Sequence, residues 1–119
     1  MPKPQMLIVD DERDIRSLLA EIFKPSFDVT AKGSLNEAKG LLHREKYEIV
    51  LLDLDLPDGS GFDLVASLNG SLNRDRVLII SAHKGREQME RANQLGISHF
   101  FEKPLDLTAL SKTVTQLTH

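Results

Sequence analysis

Apolar and polar positions along this chain follow two alternating rhythms. Met6–Val9, Ile49–Leu52 and Val77–Ile80 are almost uniformly apolar over strand length, the pattern of strands covered on both faces. Phe100–Phe101 is a shorter run of the same kind, and residues 27–31 alternate apolar with polar, which suits an edge strand. Between these runs the spacing becomes helical. Ile15, Leu18, Leu19, Ile22 and Phe23 recur at i, i+3, i+4, i+7 and i+8, a single buried stripe. Leu35, Ala38, Leu41 and Leu42 give a second helix its inner face, and Phe62, Val65 and Leu68 a third. A fourth, from about Gly85 to Leu95, is sparsely apolar, with Met89, Ala92 and Leu95 turned inward; Leu107, Leu110, Val114 and Leu117 mark the fifth. Five strands alternating with five helices predict an α/β fold, a doubly wound parallel sheet with helices on both faces.

Local signals punctuate these elements. Pro25 ends the first helix, because it offers no N–H and disfavours helical geometry at Lys24. Ser34-Leu35-Asn36-Glu37 is a capping box, hydroxyl and carboxylate each satisfying a backbone donor. Gly40 inside the second helix costs about 1 kcal/mol relative to alanine. Gly96 supplies the left-handed residue that closes the fourth helix. Gly59-Ser60-Gly61 is a tight turn and lacks the third glycine of a dinucleotide fingerprint. Asn69-Gly70-Ser71 matches a glycosylation sequon but reads as a turn. With no repeat, low-complexity tract or linker, residues 1–119 read as one domain with no output domain attached.

The strand ends carry the chemistry. The first run ends in Asp10 and Asp11, the third in Asp53, the fourth in Ser81, and the fifth in Glu102, Lys103 and Pro104. Ligands of open parallel sheets sit outside the carboxyl ends of the strands. Periodicity alone does not order the strands; placing the first between the second and third sets its acidic pair beside Asp53. Adjacent acids also cap helices, and judged alone Asp10 and Asp11 fit that role equally well. Three carboxylates in one pocket raise one another's pKa unless a cation joins them. Mg²⁺ suits such a set, taking oxygen ligands and keeping several waters. Asp53 is then a candidate nucleophile toward phosphorus, Lys103 a neutralising charge and Ser81 a donor to a phosphoryl oxygen. Asp55 and His83 follow Asp53 and Ser81 by two positions each, so both flank the same mouth and bear on how long a phosphorylated state lasts.

Composition narrows the alternatives. The net charge of −3 argues against a nucleic-acid surface, and the chain has no cysteine for a disulfide, a thiolate or a zinc site. No apolar run approaches the ~18 residues of a membrane helix. Met1-Pro2-Lys3-Pro4 lacks the apolar core of a secretory signal, so a cytoplasmic location is expected. His43, His83, His99 and His119 show no metal spacing; His43 and His119 are expected in solvent, and no Ser-His-Asp arrangement is suggested.

Val9-Asp10-Asp11, Leu51 through Gly61, Ile80-Ser81-Ala82 and Phe101-Glu102-Lys103-Pro104 together resemble the receiver domains of two-component response regulators. The likeness covers essentially the whole chain, with the motifs in family order. It implies a five-stranded, flavodoxin-like sheet of order 2-1-3-4-5, an order familiar from a chemotaxis member of the family. It further implies that Asp53 accepts a phosphoryl group from the phosphohistidine of a sensor histidine kinase or phosphotransfer protein. Asp11 and Asp53 would ligate Mg²⁺ directly, Asp10 through water, and the Asp55 carbonyl would complete the protein ligands. Ser81 and Lys103 would bind phosphoryl oxygens, and Phe100 would be the switch aromatic that follows Ser81 inward. The fourth helix, fifth strand and fifth helix would form the output face, a candidate homodimer surface. Such a domain is no enzyme beyond self-phosphorylation from small phosphodonors and autodephosphorylation. Acidic Asp55 is less usual in the family.

Two other functions compete. Asp53-Leu54-Asp55 matches the Asp-x-Asp of haloacid-dehalogenase-like phosphatases, but those place it on their first strand and carry a larger body. A receiver-like module that binds partners without phosphorylation would be expected to lack a member of the site, and none is missing.

Overall fold

The computed structural model describes residues 2–68 and 72–118; the turn expected at Asn69-Gly70-Ser71 and the solvent position expected for His119 fall outside them. Strands β1 (Gln5–Val9), β2 (Asp28–Lys32), β3 (Ile49–Asp53), β4 (Val77–Ser81) and β5 (His99–Glu102) form one sheet in the order β2-β1-β3-β4-β5. Every pairing is parallel, and the order is the expected one. Helices α1 (Arg13–Phe23), α2 (Leu35–Arg44), α3 (Gly61–Ser67), α4 (Arg86–Gln94) and α5 (Leu107–Leu117) connect the strands. Among the described residues no helix is long and apolar enough to cross a membrane.

Period-two geometry divides the core in two. Leu7, Val9, Val50, Leu52, Val77, Ile79 and Phe100 face one layer with Ala38, Leu42, Phe62, Val65 and Ala92, which come from α2, α3 and α4. Met6, Ile8, Ile49, Leu51, Leu78 and Ile80 face the other with Leu19, Phe23, Leu110 and Val114, from α1 and α5. The uniformly apolar runs are thus buried on both sides, while β2, at the sheet edge, is only half-buried.

Several local expectations change. Leu18 is 48% exposed and Met89 41%; each falls at the margin of its helical stripe, where the sheet no longer covers it. Strand β2 starts one residue later than its pattern suggests, because Phe27 packs edge-on against Phe23 with ring centroids 6.1 Å apart. Lys24 keeps helical dihedrals despite the proline after it, as the Phe27 N–H bonds the Phe23 carbonyl and carries the turn past the helix end. Ser34 Oγ accepts from the Glu37 N–H at 3.4 Å but donates to the Glu37 carboxylate at 3.1 Å, so the carboxylate meets the hydroxyl rather than the backbone. The segment after Asp53 is a small antiparallel ribbon, Asp55–Leu56 against Gly59–Ser60, where the sequence suggests only a bend.

The end of α4 is firmly built. Gly96, at φ 77°, lets the Ile97 N–H reach the Ala92 carbonyl and its own N–H the Asn93 carbonyl, the pairing that terminates helices through a left-handed residue. Arg74 adds a brace: its guanidinium donates to the Leu95 carbonyl at 2.7 Å and to the Val65 carbonyl of α3 at 3.3 Å. The start of α4, at Gly85, has no side-chain cap.

Two glycines should respond oppositely to alanine. A Cβ at Gly40 meets nothing within 4 Å, whereas one at Gly61 would lie 2.6 Å from the Asp53 carbonyl oxygen and 3.0 Å from Leu52 Cγ. In urea denaturation Gly40→Ala should stabilise by about 0.5–1 kcal/mol. Gly61→Ala should cost about 1–3 kcal/mol, the usual penalty for overpacking.

Candidate functional site

Parallel register brings the strand ends level. Val9 pairs with Leu52, Asp53 with Ile80, and Ser81 with Glu102. Asp10, the first residue beyond β1, is fixed at both backbone groups: its N–H bonds the Lys32 carbonyl, and Arg16 of α1 donates to its carbonyl at 2.7 Å. Asp53 and Ser81 are the last residues of β3 and β4, and the Lys103 N–H bonds the Ser81 carbonyl at 2.8 Å. The Lys103–Pro104 peptide bond is cis.

At this rim Asp10 and Asp53 are buried, 0% and 2% exposed. The Lys103 ammonium lies 3.0 Å from Asp10 Oδ2, 2.9 Å from Glu12 Oε1 and 3.1 Å from Asp53 Oδ2. Asp10 Oδ1 accepts from the Glu12 N–H at 2.8 Å, but Glu12 is itself the N-cap of α1 and that helix start has no side-chain cap, so the acidic pair does not take the capping role. Asp10 Oδ2 is buried and has no hydrogen-bond partner; its meeting with Lys103 is ionic. Asp53 Oδ1 accepts from the Asp55 N–H at 3.0 Å. Burial pushes the Asp53 carboxyl up to about 6; the Asp55 N–H opposes this, Asp10 adds repulsion, and Lys103 pulls downward. Burial also works against the Lys103 charge, but contacts with Glu12, Asp10 and Asp53 outweigh it and hold the ammonium above its ordinary range.

A group of carboxylate oxygens mutually within 4.8 Å is offered by Asp10, Asp11 and Glu12. They form a hard, anionic oxygen set of the kind Mg²⁺ takes, and within it the buried Asp10 Oδ2 has no hydrogen bond and only the Lys103 charge for company. Glu12 was missed by strand-end reasoning, since it begins the next helix and reaches Lys103 only in three dimensions. Asp11 is exposed. Ser81 is buried, its Oγ accepting from the His83 N–H at 3.1 Å and standing 3.5 Å from Asp55 Oδ2. The Asp55 and His83 side chains are themselves exposed, and His83 meets Ser81 through its backbone. Phe100 is already buried, in the same apolar cluster as Ile79, Ala92 and Ile97. His43 is exposed, as expected.

Comparison with known proteins agrees with this geometry. The family model "Response regulator receiver domain" matches residues 6–115. The response regulator protein PilR of Pseudomonas aeruginosa is 36% identical over 115 residues, which are 96% of this chain and 26% of PilR. Sporulation initiation phosphotransferase F of Bacillus subtilis is 28% identical over 115 residues, 96% of this chain and 93% of that protein. The chain thus spans about a quarter of the first relative and nearly all of the second. Among solved structures, the non-phosphorylated HemR receiver domain from Leptospira biflexa superimposes with a TM-score of 0.86 at 29% identity, covering 97% of this chain and 94% of that one. The receiver domain of the Francisella response regulator 1452 does so with a TM-score of 0.86 at 25% identity, covering 97% and 96%. A sheet of receiver order, carboxylates and a lysine at its rim, and a family match over nearly every residue converge: the chain belongs to the receiver domains of two-component response regulators, the phosphoacceptor switches of those systems.

Proposed function

We propose that Asp53 is the phosphoacceptor. The observation that carries this reading is a buried carboxylate held 3.1 Å from a lysine ammonium that a second buried carboxylate shares at 3.0 Å. An Asp53 oxygen attacks phosphorus to form an acyl phosphate. The P–N bond to the donor's imidazole breaks, and its electron pair stays on that nitrogen, which is protonated; with acetyl phosphate the P–O bond breaks and acetate leaves. Lys103 moves its charge from carboxylate to phosphoryl oxygen, and Ser81 supplies a hydroxyl donor, placing fixed charge where negative charge develops. Asp10, Asp11 and Asp53, with the Asp55 carbonyl, are the residues we assign to Mg²⁺; of these the structure groups Asp10 and Asp11 with Glu12, which lies close enough to contribute. The ion would neutralise the incoming phosphate.

Receiver domains take phosphoryl groups from histidine kinases or phosphotransfer proteins, and we assign the same class of donor here. The output surface is the face of α4, β5 and α5, where Met89 is exposed and a homodimer would form. Ser81 and Phe100 relay the change. Because Phe100 already lies inside, the relay is a repacking of α4 over a buried ring rather than an inward swing of that ring. Acting as one receiver unit, the domain turns over only its own phosphoryl group.

Acetyl phosphate with Mg²⁺ should add one phosphoryl group to the wild type and none to Asp53→Asn by intact mass; equal labelling of the variant would mean another nucleophile. The Asp53 shift also predicts a stability profile. A carboxyl raised from 3.8 to about 6 keeps in the native state a proton that the unfolded chain has released. Stability therefore falls as pH rises through that window and stays low above it. In EDTA near neutral pH, Asp53→Asn should be more stable than wild type by about 1–3 kcal/mol in urea denaturation, the gap closing in acid and in millimolar Mg²⁺. Finally, Asp55→Ala and His83→Ala should each alter the decay of the phosphorylated protein roughly tenfold while labelling at Asp53 persists. Decay after donor removal measures this, and unchanged half-lives would return both side chains to bulk solvent.

A further inference from the structure

The ribbon after Asp53 is fastened at its far end to a helix 22 residues earlier in the chain. Asp58 Oδ1 accepts from the Leu35 N–H at 2.8 Å and Asp58 Oδ2 from the Asn36 N–H at 3.0 Å. These are the first two donors of α2, and Ser34 takes the third, at Glu37. The two N–H donors hold the Asp58 carboxyl below its ordinary range. Leu35 also packs against the ribbon's turn: a Cβ at Gly59, which sits at φ 142°, would lie 2.9 Å from Leu35 Cδ1. At the near end, the Asp55 N–H is the donor on Asp53 Oδ1, and the Gly61 N–H bonds the Leu54 carbonyl. A continuous chain of contacts thus runs from the start of α2 through Asp58 and a ribbon of two residue pairs to the phosphoacceptor carboxylate.

We infer that Asp58 is a positioning residue for phosphorylation: its two carboxylate oxygens anchor the ribbon to α2, and the anchored ribbon holds the Asp55 N–H that orients Asp53. The inference rests on Asp53 being the acceptor. A plain capping role for Asp58 would affect α2 alone, and Ser34 provides the comparison, since its side chain caps the same helix at Glu37. The test compares Asp58→Ala, Asp58→Asn and Ser34→Ala in the full chain by acetyl phosphate labelling and by amide exchange at Asp55. Asp58→Ala should slow labelling roughly tenfold, as expected when a reacting group loses its alignment, and should speed exchange at Asp55. Asp58→Asn keeps one acceptor oxygen and should fall between Asp58→Ala and wild type, which also serves if the alanine variant fails to fold. Ser34→Ala should change neither quantity by more than about twofold, although it frays α2. Equal slowing by Asp58→Ala and Ser34→Ala, or unaltered Asp55 exchange in both Asp58 variants, overturns the proposal. If the wild type takes up no label, the assignment of Asp53 fails instead. Exchange at Asp55 then still decides for the anchor if Asp58→Ala alone speeds it, and against it otherwise.

Discussion

Two buried carboxylates at the rim of a sheet repel each other, and the ammonium of Lys103 between them makes the arrangement tolerable. Much of the fold serves that contact. Strand β1 must neighbour β3 for Asp10 and Asp53 to meet, and Lys103 must come from β5, two strands beyond β3. Its side chain passes the end of β4, where the small Ser81 leaves room and lends its carbonyl to the Lys103 N–H. Burial still holds the Asp53 carboxyl above its ordinary range despite the Lys103 ammonium, because taking a charge out of water can cost more than a partner returns. The site is therefore assembled at a cost in stability that a bound cation or a phosphoryl group would relieve.

The same contact shows why Glu12 matters. Were Lys103 to turn from Asp53 toward a phosphoryl oxygen, as proposed, it would keep a partner that now stands at 2.9 Å and is more than half exposed. The ammonium would then not be stranded during the exchange. Asp10 has one oxygen held by the Glu12 N–H.

Most of the fold was legible because burial writes itself into periodicity. Val50, Leu52, Val77 and Ile79 had to face one layer and Ile49, Leu51, Leu78 and Ile80 the other, and the polar residue closing each run had to emerge at the rim. Asp10, Asp53, Ser81 and Lys103 were readable for that reason. The residues that escaped act across sequence distance. Glu12 looks like a surface acid at a helix start, Asp58 caps a helix 22 residues upstream, and Arg74 braces carbonyls on two separate helices. Leu18 and Met89 have helical spacing, but spacing does not say how wide a strip the neighbouring sheet covers.

The brace at Arg74 has a mechanical consequence. Helix α4 is fixed at its C-terminal end by the Gly96 turn and by the guanidinium bond to Leu95, while its start at Gly85 is uncapped and only Ala92 along its length is buried. Such a helix is a lever with its fulcrum at the far end. Its free end follows closely on Ser81, where a phosphoryl group would act. Nine residues at about 1.5 Å each make an arm of roughly 13 Å, so a shift of about 1 Å at the free end becomes a tilt of some 4°. Rotation rather than sliding is the motion this geometry transmits, and its largest displacement is delivered beside the site and its smallest at the arginine.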